Sequence, residues 1–246
     1  MNLKMKSAFS VSSKGSREIQ EDHGLVQVDR GIFALADGFG GGDSGFNAAK
    51  QSVESAFSFL MKEAGDHDAT LPFVLKDYYS LAGNIVFNSV LFANNRCHRN
   101  NREKASNQKG GASLLVGYLD DQLLALANAG VCSVWLIRNQ KLKCIVTPRS
   151  YSFLKDPFSR EPQSQWAVPL MACGLSEHLE PEIYECQIQA GDWLWAQTDG
   201  VHVGILNKIS KLQVESIDAD HLKRKVQEEL QRAPLEDNSW ISLMIF

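Results

Sequence analysis

Acidic residues stand at four places where this chain is expected to change direction: Glu21-Asp22, Asp37-Gly38, Asp199-Gly200 and Asp237-Asn238. Carboxylates brought together repel one another, and holding them together is costly unless a cation neutralises them. The first two places flank a predicted β-hairpin. Leu25–Val28 and Ile32–Ala36 are short β-prone runs, and Asp29-Arg30-Gly31 between them is a three-residue turn with glycine where a positive φ is expected. A hairpin returns its second strand to the level where the first began. Glu21 and Asp22, just before one strand, therefore meet Asp37, expected just after the other. The run Asp37-Gly38-Phe39-Gly40-Gly41-Gly42 lets backbone approach a ligand closely. This stretch predicts an ion site.

The elements needed to position it can be taken in order. Ala8–Ser12 opens as a strand. Phe46–Lys62 carries Ala49, Val53, Ala56, Phe57, Leu60 and Met61 at helical spacing. A second helix is expected from Pro72 to about Asn100, with Leu75, Tyr79, Ala82, Val86 and Val90 on one stripe. Ala112–Leu119, Gln122–Ala129, Cys132–Arg138 and Lys141–Val146 are apolar runs joined by turn signals, which predicts an antiparallel meander. Thr147–Val168 lacks periodicity and reads as a loop or flap. Ile183–Gln189 and Trp193–Gln197 are strands, His221–Arg232 is a charged helix, and Ser239–Phe246 is a closing strand. Helices do not alternate with strands, so the order predicts an α+β fold in which antiparallel sheets pack face to face with helices outside. If the strands ending at Asp199 and starting at Asp237 are antiparallel neighbours, those two carboxylates also meet.

Composition narrows the function classes. The chain has 246 residues, a formal net charge of −4 and no long basic run, so nucleic acid is not an expected partner. Five cysteines (Cys97, Cys132, Cys144, Cys173 and Cys186) are scattered and never spaced Cys-x-x-Cys, which predicts reduced thiols in a cytoplasmic protein. The basic start Met1–Lys6 is not followed by an apolar signal core, and no run of about 18 apolar residues exists, so no membrane association is expected. No linker divides residues 1–246, which read as one domain.

Taken together, Ser12-x-x-Gly15-x-Arg17-x-x-x-Glu21-Asp22, Ala34-Leu-Ala-Asp37-Gly38-x-Gly40-Gly41, Gly110-Gly111-Ala112-Ser113, Asn128-Ala129-Gly130, Gly191-Asp192, Thr198-Asp199-Gly200 and Asp237-Asn238 resemble the metal-dependent Ser/Thr protein phosphatases of the type 2C (PPM) family, in their compact bacterial form. The resemblance runs from Ser12 to the C-terminus. It implies a four-layer α/β/β/α sandwich and a two-ion centre of Mn²⁺ or Mg²⁺. In that centre Asp37 would bridge both ions and Asp199 and Asp237 would complete one site. Glu21 and the Gly38 carbonyl would belong to the other, with Asp22 holding a water. Oxygen-only ligands suit those cations and disfavour zinc. Arg17 would be the catalytic phosphate clamp, using paired N–H donors. The implied activity is hydrolysis of phosphoserine and phosphothreonine in a phosphorylated protein, opposing a Ser/Thr kinase.

The chain departs from the family at three points. The position after Asn-x-Gly, often an aspartate serving a third ion, is Val131. Where some members have a histidine general acid after Asp-Gly, this chain has Phe39. The usual Thr-x-Asp-His segment reads Thr147-Pro148-Arg149-Ser150. These departures leave open a second reading, a phosphatase-like protein that binds a phosphoprotein or kinase without turnover.

Overall fold

A computed structural model describes residues 3–65, 75–155, 168–213 and 218–246. Two five-stranded antiparallel sheets form the middle layers. One contains β1 (Ser7–Ser13), β6 (Ser133–Arg138), β7 (Lys141–Val146), β9 (Trp193–Gln197) and β10 (Ser239–Ile245), in the order β1-β10-β9-β6-β7. The other contains β2 (His23–Gln27), β3 (Ile32–Phe39), β4 (Gly111–Asp120), β5 (Leu123–Ala129) and β8 (Glu182–Gln187), in the order β2-β3-β4-β5-β8. Helices α1 (Asp43–Glu63) and α2 (Leu81–Arg102) cover the second sheet. α3 is the short Tyr151–Lys155, and α4 (Val203–Ser210) and α5 (Ala219–Arg232) cover the first sheet.

Strand alternation explains the layering. In β3, Ile32, Ala34 and Ala36 pack into a core shared with α1 and α2, while Phe33 and Leu35 face the core between the sheets. In β9, Leu194 and Ala196 enter that same middle core, and Trp193 and Trp195 pack under α4 and α5. Three apolar cores thus separate four layers, which is the expected α/β/β/α sandwich. The inner strands β3, β4, β5 and β9 are buried on both faces.

The hairpin forms as expected. Gly31 takes φ 64 and closes a 3₁₀ turn over Val28–Arg30. Asp37, however, does not follow the second strand; it lies within β3, which continues to Phe39. The predicted meander is corrected as well. β4 and β5 belong to one sheet and β6 and β7 to the other, so the chain crosses between sheets at 130–132. Likewise β8 and β9 lie in different sheets. Gly130 makes the first crossing possible: its φ is 130, and a β-carbon there would lie 2.3 Å from Ser113 Oγ. A run of apolar residues reports strand character but not which sheet receives it, because both faces of either sheet are covered.

The second helix starts at Leu81 with Ser80 as its N-cap, so Leu75 and Tyr79 precede it, and Pro72 lies outside the described residues. α4 has no counterpart in the sequence reading, although Ile205, Leu206 and Ile209 give it an apolar stripe. Within the expected flap, α3 forms and Ser150 bridges to Pro169, while 156–167 lie outside the described residues. Among the described residues no helix is long and apolar enough to cross a membrane.

Gly130→Ala is expected to destabilise the chain by at least ~2 kcal/mol more than Gly191→Ala, measured by urea unfolding. Gly191 also has a positive φ, of 89, but nothing lies within 4 Å of its missing β-carbon. Equal losses in the two variants would show that the contact beneath the crossover carries no strain.

Candidate metal centre

Pairing registers bring the four acidic places to one end of the sandwich. His23 pairs with Ala36, so Asp22 enters the hairpin beside Asp37. Asp37 continues the odd-numbered face of β3 and faces the space between the sheets, one step beyond Leu35. Ile241 of β10 pairs with Gln197 of β9, so the residues that follow β9 lie beside those that precede β10. Asp199 and Asp237 occupy those positions. β1 pairs with the opposite edge of β10, and the loop after Ser13 carries Arg17, Glu21 and Asp22 over the same end.

Three polar side chains fix this loop. Asn238 Oδ1 accepts from the Glu21 backbone N–H at 2.8 Å, and its Nδ2 donates to the carbonyls of Lys14 and Ile19, both at 3.0 Å. Gln20 Oε1 accepts from the Asp22 N–H at 3.2 Å, while its Nε2 donates to the Ser13 carbonyl at 3.1 Å. Thr198 Oγ1 donates to Asp22 Oδ2 at 2.9 Å and accepts from the Trp240 N–H at 2.8 Å. None of the three was singled out from the sequence for this work. Thr198 and Asn238 adjoin Asp199 and Asp237, which was the only available signal.

The Gly38 side of the site closes against helix α1. A β-carbon on Gly38 would sit 2.3 Å from the Gly45 carbonyl oxygen and 2.7 Å from the Glu21 carbonyl oxygen, and one on Gly45 would sit 2.6 Å from Glu21 Oε1. Only two glycines permit this approach of strand, helix and acidic loop.

The electrostatics follow from burial of like charge. Asp22 is 2% exposed, and burial pushes its pKa up to about 7, partly offset by the Thr198 hydrogen bond and reinforced by Asp199. Burial, then repulsion from Asp199, Asp22 and Asp237, holds Asp37 well above the usual carboxylate range. Asp199 is pushed up to about 6 by burial and by Asp237. Asp37 and Asp199 lie deep among protein atoms with one edge of each open to solvent. Burial also raises Glu21, opposed by Arg17. Asp237 is the common neighbour, acting on Glu21, Asp22, Asp37 and Asp199.

Arg17 supplies the positive charge at the rim. Its guanidinium donates to Asp237 Oδ2 at 2.9 Å, with both side chains about half exposed (54% and 47%). That bond, together with the charge of Asp237, raises the arginine further above its ordinary value. In this conformation the expected phosphate clamp therefore binds one of the expected ion ligands.

The donor set fits hard divalent cations. Glu21 Oε1 and Asp22 Oδ1 are buried carboxylate oxygens with no hydrogen-bond partner, and every candidate ligand is oxygen. Among the described residues no three His, Cys, Asp or Glu side chains are gathered at ion-holding distance. Val131, which stands where the family often has an aspartate serving a third ion, is buried at 2% exposure. Phe39 follows Asp37 on the same face of β3 and packs toward Gly111, with which it pairs. All five cysteines are free thiols.

No protein-family model and no curated protein sequence matches the chain. Solved structures do. The PPM Ser/Thr phosphatase MsPP of Mycobacterium smegmatis has 18% identity and a TM-score of 0.78, with 99% of this chain and 100% of that chain covered. The serine/threonine phosphatase Stp1 of Staphylococcus aureus has 18% identity and a TM-score of 0.77, with 100% and 96% covered. The catalytic domain of the serine/threonine phosphatase PstP in complex with two manganese ions has 16% identity and a TM-score of 0.71, with 98% of each chain covered. The described residues have the PPM phosphatase fold.

Asp22 and Asp199 bind protons more tightly when folded than an ordinary aspartate near 3.8 does. In the window from about 4 to 7 the folded state thus holds more protons than the unfolded state, and stability falls as pH rises. A one-unit shift corresponds to about 1.4 kcal/mol, so the melting temperature in EDTA should drop by several degrees between pH 5 and pH 8. Asp22→Asn should flatten that drop. A melting temperature in EDTA that rises over this range, or an unchanged slope in the variant, would contradict the burial of ionised carboxylates.

Proposed function

We propose that residues 1–246 form a single metal-dependent phosphatase domain that hydrolyses phosphoserine and phosphothreonine in proteins. The observation that carries this reading is the ring of Glu21, Asp22, Asp37, Asp199 and Asp237, with two buried carboxylate oxygens that lack any donor, on a PPM fold. Asp37 would serve both ions, Asp199 and Asp237 one of them, and Glu21 with the Gly38 carbonyl the other. Asp22 would act one layer out, through a water. When bound, two Mn²⁺ or Mg²⁺ ions would supply an acidified water as nucleophile toward a phosphate ester and would neutralise charge on the phosphoryl oxygens.

The chain's own residues have separable tasks. Thr198 and Gln20 hold Asp22 from its side-chain and backbone ends. Asn238 sets the position of Glu21 through the backbone and is itself anchored by two carbonyls. Arg17 holds the substrate phosphate, for which its guanidinium must leave or share Asp237. No protein nucleophile is required, and the buried thiol of Cys132, raised by burial, is unsuited to the role. The substrate is a phosphorylated protein, and a Ser/Thr kinase supplies the opposing reaction in a cytoplasmic setting.

A second reading, binding of a phosphoprotein without turnover, is supported by the buried Val131 and by the commitment of Arg17 to Asp237. Turnover of a phosphothreonine peptide separates the two. Activity should require Mn²⁺ or Mg²⁺, vanish in EDTA, and fall at least 100-fold, about 2.7 kcal/mol, in Asp37→Asn and Asp237→Asn. Peptide binding without metal-dependent turnover would favour the second reading.

Ions that bind only the folded state stabilise it by mass action, by about 2.7 kcal/mol at 100 times Kd. Mn²⁺ should accordingly raise the melting temperature at pH 8 and have little effect at pH 5, where protons compete for the carboxylates. Asp37→Asn should abolish the rise. A full Mn²⁺-induced rise in that variant would sink the proposed centre.

A further inference from the structure

The outer face of the helix pair holds a cavity of about 500 Å³ between the first half of α1 and the last turns of α2. Its size suits a small ligand, and its lining restricts the chemistry of that ligand. No aromatic side chain and no aliphatic side chain larger than alanine contributes to it, so nothing there would receive a nucleobase or another flat apolar group. The walls are instead cations and amides. Lys50 comes from α1, Arg96 from α2 and Lys104 from just beyond α2, with Asn47 and Asn100 between them; the only carboxylate is Glu54.

The protein is net negative, and some of its helix cations are matched by acids: on α5 Lys225 pairs with Glu228, and Arg232 with Glu228 and Glu229. Lys50 has Glu54 four residues on, the spacing that favours a helix pair, yet neither it nor Arg96 nor Lys104 makes an ion pair among the described residues. Arg96 and Lys104 are also not required by the carbonyl end of α2, where Arg99 and Arg102 already stand in the last turn. The Lys50 ammonium and the Arg96 guanidinium stand over the rings of Phe46 and Phe92, at 5.9 and 5.8 Å from the centroids, a contact that holds the two heads in place without neutralising their charge.

We propose that this groove binds a small phosphorylated anion, with Lys50, Arg96 and Lys104 neutralising the phosphoryl oxygens and Asn47 and Asn100 donating hydrogen bonds. The site is separate from the acidic ring, none of whose members lines it. It therefore stands or falls independently of the proposed phosphatase activity. The ligand is a free phosphate compound or a second phosphate of a peptide.

The test is calorimetric titration of the full chain with inorganic pyrophosphate at about 50 mM salt in EDTA, which removes divalent-ion contributions at the acidic ring. Saturable 1:1 binding is expected, weakened about 3- to 10-fold in each of Lys50→Gln, Arg96→Gln and Lys104→Gln and by at least 30-fold in the triple variant. Arg17→Ala should bind as the wild type does. These exposed substitutions should leave the ligand-free melting temperature unchanged, which shows that lost binding is not lost folding. A doubly phosphorylated peptide run in parallel identifies the source. Equal or tighter binding of the peptide assigns the groove to a phosphoprotein, and binding of pyrophosphate alone assigns it to a free anion. No binding of either probe, or pyrophosphate binding that survives the triple variant or is lost in Arg17→Ala, overturns the proposal.

Discussion

Like charge buried at the end of a sandwich is the constraint on which the rest of this structure depends. Asp22, Asp37 and Asp199 are each driven toward their protonated forms by burial and by one another. Such a cluster opposes folding when ionised, so strand pairing and the three apolar cores must hold it together. The positions bearing these groups are accordingly not free loop tips. Asp37 lies inside a strand hydrogen-bonded on both sides, and Asp199 and Asp237 are tied to the paired ends of β9 and β10. Arg17 reaches over from the rim and offsets part of the charge at Asp237.

The pairing of β10 between β1 and β9 carries most of this load. On its β1 side it joins residues more than 200 positions apart, and it makes Asn238 a junction between the closing strand and the loop that presents Glu21. Gly200 follows the same logic from the other side, since a β-carbon there would lie 1.9 Å from the Asn238 carbonyl oxygen. The site is therefore built from backbone closeness as much as from carboxylates. Small residues at Gly38, Gly45 and Gly200 set how near the segments come, and amide or hydroxyl side chains at Gln20, Thr198 and Asn238 fix them once there.

Some of this was legible in the chain and some was not. The hairpin could be read because its strands are short, its turn contains glycine, and its acids stand at both ends. Face-to-face antiparallel sheets could be read from the absence of strand-helix alternation. The crossing at Gly130 could not, since apolar runs such as Leu114–Val116 and Leu124–Ala127 are buried on both faces and lose the period-2 signal that would orient them. α4 was hidden by its length of eight residues and by the Asp-Gly turn just before it. The supporting roles of Gln20, Thr198 and Asn238 depend on partners far away in sequence, which spacing alone does not reveal.

Val131 shows how one position alters the balance at such a site. An aspartate after Asn-x-Gly would stand in the crossover next to Cys132, whose thiol already feels the charges of Asp37, Asp22 and Asp199. A further carboxylate there would add repulsion to a group of acids that burial already penalises, and it would need its own cation to be tolerated. Valine instead buries an apolar side chain at the turn between the sheets, with 2% exposure. The change removes one negative charge and adds packing at the point where the chain passes from one sheet to the other. The crossover thus contributes no carboxylate to the acidic end of the sandwich.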